Sequence, residues 1–250
     1  MSDSVKEHNS SNNPLHEKYD ADHTVGENNV EVLGMDLHNP VFFASAFFVV
    51  LFVILTLLFP QQSSDYYEAA KGWSINNFDW LFMIAGNIFV LFCLFLLLSP
   101  LGRVRIGGKQ AKPEFSLLSW FAMLFAAGMG IGLMFFSVAE PVGYFTSDGA
   151  TPFNVPPGAP ESEEAAMGAT MFHWGLHPWG IYAVVGLSLA FFAYNCNLPL
   201  TIRSTFYPIF GDRVWGATGN VIDTVAVLAT IFGLATSLGF GASQAAGGLH

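Results

Sequence analysis

The sequence predicts an all-α, polytopic membrane protein, and three observations carry that reading. Hydrophobic residues make up 52% of the chain and charged residues 11%, whereas a soluble domain carries about 25% charged residues. Apolar runs free of charged side chains occupy residues 41–59, 80–98, 116–139, 179–202 and 224–249. Each reaches the roughly 17–25 residues that a helix needs to cross a bilayer core. Beyond the first forty residues there are seven Lys or Arg, and six of them fall on one side if the helices alternate. Five spanning helices follow, and five such runs leave too little amphipathic surface for a soluble protein.

The first segment, residues 1–39, is polar and holds Asp3, Glu7, Glu17, Asp20, Asp22, Glu27, Glu31 and Asp36 against Lys6 and Lys18. It has no apolar core of the kind a cleaved signal peptide needs. It cannot bury enough apolar surface to fold alone, so a disordered acidic tail is expected. Residues 40–250 form the transmembrane domain. Arg103, Arg105, Lys109 and Lys112 follow the second run, and Arg203 and Arg213 follow the fourth. By the positive-inside rule that side is the cytoplasm, which places the N-terminus inside the cell and the chain in the inner (plasma) membrane. The opposite loops, 60–79 and 144–165, carry Asp65, Glu68, Asp79, Asp148, Glu161, Glu163 and Glu164. After the proline-rich stretch 151–160, residues 161–171 have the composition of an amphipathic helix on the outer surface. Cys93 and Cys196 sit at different depths and are expected to stay reduced.

The third run contains Gly128-Met129-Gly130-Ile131-Gly132. Each glycine weakens a helix by about 1 kcal/mol relative to alanine in water. Gly128 and Gly132 satisfy the spacing of four used for close helix packing, whereas Gly130 lies on the opposite face. Packing and local unwinding therefore both remain open, the second exposing backbone groups to a ligand or ion. Glu140-Pro141 closes the run. Its carboxylate reads more readily as an interfacial group reaching water than as a gate or proton carrier.

The block from His173 to Tyr182 (His-Trp-Gly-Leu-His-Pro-Trp-Gly-Ile-Tyr) holds the densest chemistry. On a helix, Trp174, Trp179 and Tyr182 fall within an arc of roughly 140°. Two readings follow. Spacing alone favours an aromatic belt at the membrane interface. The other is an aromatic cage for a quaternary ammonium group, held by ring quadrupoles. His173 and His177, four apart, lack a third partner for a metal.

Taken together, several segments resemble the betaine/carnitine/choline transporter family. They are Lys112-Pro113-Glu114-Phe115-Ser116, Ala126-Ala127-Gly128-Met129-Gly130-Ile131-Gly132, Ala139-Glu140-Pro141, the His173 to Tyr182 block, Asn197-Leu198-Pro199-Leu200-Thr201-Ile202-Arg203 and residues 222–241. The resemblance runs from about residue 40 to the end and leaves the acidic tail uncovered.

The resemblance implies a LeuT-like inverted-repeat fold, with two peripheral helices here followed by three helices of the first repeat, the remainder being truncated. It implies an ion-coupled symporter that imports a quaternary-ammonium osmolyte, glycine betaine first, with proton-coupled choline or carnitine transport as the alternative. Trp174, Trp179 and Tyr182 then match an aromatic cage, and Gly128, Met129, Gly130 and Gly132 an unwound segment facing the substrate. Ala126 and Met129 match positions whose carbonyls help bind sodium in sodium-coupled members, and Thr230 matches a hydroxyl ligand of a second sodium site. Leu234 occupies the other hydroxyl position of that site and cannot coordinate sodium. Choline-preferring members often carry an acidic residue at the position of Gly132, so glycine there leans toward a zwitterion. No resident cofactor is expected, Na+ or H+ being the coupling ion. The resemblance also implies a homotrimer.

Other function classes fit poorly. A channel needs a continuous polar or charged lining, and the runs offer isolated polar residues such as Asn87, Ser137, Thr230, Thr236 and Ser237. An enzyme needs a clustered nucleophile, base or metal set, and none is visible. No nucleic-acid partner is expected.

Overall fold

A computed structural model describes Gly26 and residues 29–128, 130–146 and 155–248. The expected disorder of residues 1–25, 27 and 28 falls outside these residues. Residues 29–38 of the tail depart from the expectation of disorder. β1 (Asn29–Val32) and β2 (Met35–His38) pair antiparallel, Asn29 opposite His38 and Val32 opposite Met35. Leu33 and Gly34 both take positive φ, 54° and 78°, as a two-residue type I′ hairpin turn requires. Composition hid this, because acidic residues alternate with Val, Met and Leu in both strands.

Helix α1 (Asn39–Leu58) forms from an unbroken apolar stretch of 20 residues. After Phe59 comes α2 (Pro60–Leu98), 39 residues long and thus about 58 Å at 1.5 Å per residue. The segment expected as an outer loop, 60–79, is therefore the first half of α2. Proline suits a first helical position, where its missing N–H is not needed. The polar residues that suggested a loop sit on a helix whose backbone is satisfied internally.

The third run is divided, as α3 (Leu117–Gly128) and α4 (Ile131–Thr146). The fourth is preceded by α5 (Pro160–His173), longer than the surface helix expected at 161–171. After Trp174 and Gly175 comes α6 (Leu176–Ala190), which ends in a π-helical turn, Phe191–Asn195. The run expected to reach residue 202 stops there. Short helices α7 (Ile202–Thr205) and α8 (Tyr207–Phe210) lead to α9 (Ala217–Gly248). Four helical stretches among the described residues are long and apolar enough to cross a membrane, in place of five, because the third run is split.

The chain forms two compact units. One comprises Met1–Leu57, Leu98–Ala111 and Val185–Ala226. In it, the buried Asn195 side chain accepts a hydrogen bond from the Gly107 amide (2.9 Å) and donates to the Arg105 carbonyl (3.0 Å). The loop after α2 is thereby tied to the end of α6, so both lie at one end of the unit. Nearby, the buried Arg203 side chain donates through Nε to Asp223 Oδ2 (2.5 Å), and its backbone amide donates to Oδ1 (2.9 Å). Removing one partner leaves a buried charge uncompensated, at a cost of about 3–5 kcal/mol. Asp223→Ala is accordingly expected to lower the thermal midpoint of the detergent-solubilised protein strongly, and an unchanged midpoint would show that solvent reaches Arg203.

The other unit comprises Leu58–Leu97, Lys112–Val184 and Val227–His250. Here α5 packs along α4, and α6 meets α2 where Gly180 has no side chain. A Cβ at Gly180 would lie 3.1–3.4 Å from Val90 backbone and side-chain atoms, so glycine is what permits the approach.

Candidate functional site

The site is built in the second unit from the broken third run and the junction of α5 with α6. Helix α3 stops at Gly128 and α4 starts at Ile131. Gly130 lies between them outside either helix, and Met129 falls outside the described residues. The first amides of α4 therefore have no intrahelical acceptor and face the positive end of the helix dipole outward. An anionic group is favoured there.

Gly132, Phe136 and Glu140 follow at spacings of four and so line one face of α4. The Trp174 indole lies along that face. A Cβ at Gly132 would be 3.6 Å from the far edge of the ring, at Cη2. The Phe136 ring is tilted against it at a centroid distance of 6.0 Å. At the other end, Trp174 Nε1 donates to Glu140 Oε2 at 2.5 Å. The second carboxylate oxygen of Glu140 pairs with His173 Nδ1. Glu140 is 9% exposed and His173 62%. The expected interfacial carboxylate reaching water is thus corrected: its two oxygens are held by the Trp174 and His173 side chains.

Trp174 reaches this position because the chain breaks there. Gly175 follows, and a Cβ on it would come 2.9 Å from the Met171 carbonyl oxygen, a backbone contact that cannot yield. The break also separates the two histidines. His173 turns to Glu140, while His177 Nε2 lies 3.2 Å from Asn87 Oδ1 of α2 and its ring lies 5.1 Å from that of Phe172. No group of three His, Cys, Asp or Glu gathers among the described residues.

Trp179 and Tyr182 stand together on α6, rings 6.0 Å apart and tilted by 35°. Trp179 Nε1 donates to the Trp174 carbonyl at 3.2 Å, which links the two tryptophans through the turn. Trp179 is 37% exposed and Tyr182 63%, so ring surface is open to a ligand. Behind α4, Phe240 of α9 stacks on Phe135 at 4.8 Å and meets Phe136 edge-on at 5.5 Å. Ala126 lies in the last turn of α3 and Thr230 in α9. Phe136 and Gly175 were not singled out in the sequence. Their signal was available, in the spacing of four from Gly132 and in the glycine beside the Trp.

Known transporters resemble the chain over most of its length. The chain is 60% identical over 230 residues to glycine betaine transporter 1 of Vibrio parahaemolyticus, covering 92% of this chain and 44% of that protein. It is 42% identical over 216 residues to the glycine betaine transporter of Acinetobacter baylyi (85% of this chain, 32% of that protein). It is 47% identical over 214 residues to the high-affinity choline transport protein of Escherichia coli (84% and 30%). The chain thus spans less than half the length of these relatives. Residues 40–250 match the family described as BCCT, betaine/carnitine/choline family transporter, and the chain belongs to that family.

Proposed function

We propose that these residues form part of an ion-coupled symporter that imports a quaternary-ammonium osmolyte, glycine betaine first, across the bacterial inner membrane. The observation that carries this reading is the Trp174 ring laid against Gly132 at the α3–α4 break. It sets an aromatic surface beside the helix-start amides of α4. A trimethylammonium group has no N–H to donate and is held by ring faces, here Trp174, Trp179 and Tyr182. A carboxylate a few ångströms away suits the amides that follow Gly128, Met129 and Gly130. Glycine betaine carries both groups, whereas choline carries only the first.

The relatives support both substrates, since some are named for glycine betaine and one for choline. Choline or carnitine transport is therefore the second reading. The coupling ion on our reading is Na+ or H+. Carbonyls of Ala126 and Met129 and the hydroxyl of Thr230 supply the hard oxygen ligands sodium prefers, while Leu234 leaves the second sodium position short of one. A LeuT-like inverted repeat and a homotrimer are part of the same proposal.

The N-terminus is proposed to be cytoplasmic, together with the loops holding Arg103, Arg105, Lys109, Arg203 and Arg213. The Asn195 tie supports this, since it sets the loop after α2 and the end of α6 at one end of their unit. Cysteines introduced near Glu163 should react with an impermeant reagent on intact cells, and those near Lys109 should not. The reverse pattern overturns the orientation. The function itself is tested by uptake of labelled betaine, choline and carnitine into proteoliposomes holding the transporter that contains these residues, with sodium and proton gradients varied separately. Uptake of none of the three under either gradient would overturn it.

A further inference from the structure

We propose that Glu140 is a positioning residue for the cage, holding the Trp174 indole in its binding orientation and strengthening its attraction for a cation. This rests on the reading of Trp174 as a cage wall. The geometry is specific. Gly132, Phe136 and Glu140 occupy successive turns of one α4 face and meet the same indole, at its far edge, its ring and its N–H respectively. An indole pivots about χ1 and χ2, and its only polar atom is Nε1. A carboxylate that accepts from Nε1 at 2.5 Å therefore fixes the ring plane.

The acceptor is held in turn by His173 on its other oxygen and is only 9% exposed, so it cannot swing into water without breaking both contacts. Charge-assisted hydrogen bonds are about twice as strong as neutral ones. Donation to an anion also pushes electron density into the indole, which deepens the negative face that attracts quaternary ammonium. The group requires a charged acceptor at this length from α4, which Gln supplies only in part and Ala not at all. Among the described residues, Tyr144, one turn further along α4, and His173 are titratable neighbours of this carboxylate.

The test is a double-mutant cycle on betaine uptake by the transporter containing these residues, with KM and kcat measured separately. Glu140→Ala is expected to raise KM about five- to tenfold, less than removal of the ring itself because the indole stays in the site, with a smaller effect on kcat. Glu140→Gln, whose carbonyl still accepts from Nε1, should fall between Ala and wild type. In the Trp174→Phe background, where no N–H remains, either change at Glu140 should alter KM by less than about threefold. An equal factor in both backgrounds overturns the proposal, since Glu140 would then act without the indole. If Glu140→Ala is not recovered from membranes, the cycle with Glu140→Gln decides by the same criterion. A Trp174→Ala variant that transports with unchanged KM would instead overturn the cage itself, so the two failures are separable.

Discussion

Trp179→Ala and Trp174→Ala are each expected to raise the KM for betaine about 30-fold, while Trp179→Phe raises it only a few-fold and Trp174→Phe about tenfold. A desolvated cation–π contact is worth about 2 kcal/mol, and about 1.4 kcal/mol corresponds to tenfold in affinity. Phenylalanine keeps a ring with a weaker quadrupole, so most of the attraction survives. At Trp174 the Phe variant also loses the N–H that meets Glu140, and at Trp179 the one that meets the Trp174 carbonyl. The Phe penalty should therefore be larger at position 174, where the lost acceptor is charged. Equal losses for Ala and Phe, with normal insertion and yield, would assign these rings to packing or hydrogen bonding.

Gly132→Asp should shift preference from betaine toward choline. A Cβ fits there, 3.6 Å from the Trp174 ring and in ordinary van der Waals contact. Gly132 is the second residue of α4, so the new carboxylate would compete with that of betaine for the helix-start amides and repel it. Two unit charges about 4 Å apart interact by roughly 4 kcal/mol at an effective dielectric near 20, enough to invert a preference. Choline carries no negative charge and escapes this penalty. Burial favours the protonated acid, so the shift should grow as pH rises. Competition uptake at two pH values decides the point. A folded variant that still prefers betaine at both would place Gly132 away from the substrate carboxylate.

Much of this architecture is legible in the sequence because lipid imposes simple rules. Apolar length marks the crossings, and the division of the third run coincides with alternate glycines at 128, 130 and 132. The misreadings share a cause: composition reports which solvent a segment suits, not its backbone. Residues 60–79 carry enough charge to look like a loop, yet they form the first half of the continuous helix α2. Residues 29–38 look like disordered acidic tail, yet two consecutive residues of positive φ close a hairpin.

At the site, the aromatic residues and glycines stand out by type and spacing. The partnership of Trp174 with Glu140 does not, because they stand 34 positions apart and the break at Gly175, beyond both, decides where the indole lies. Only the fold brings them together. Helical spacing likewise put His173 and His177 on one face, until the break between α5 and α6 sent one to Glu140 and the other to Asn87.

The most direct test of a cationic cage compares betaine with its uncharged-head analogue, 3,3-dimethylbutanoate, in which carbon replaces the quaternary nitrogen and shape is retained. Binding is read from tryptophan fluorescence of the purified transporter containing these residues, with choline as a second charged ligand. If Trp174, Trp179 and Tyr182 hold the positive charge, betaine should bind at least about 30-fold more tightly than the analogue, and Trp179→Ala should remove most of the difference. Equal binding of betaine and 3,3-dimethylbutanoate would show that the rings recognise only size, and would contradict the cage.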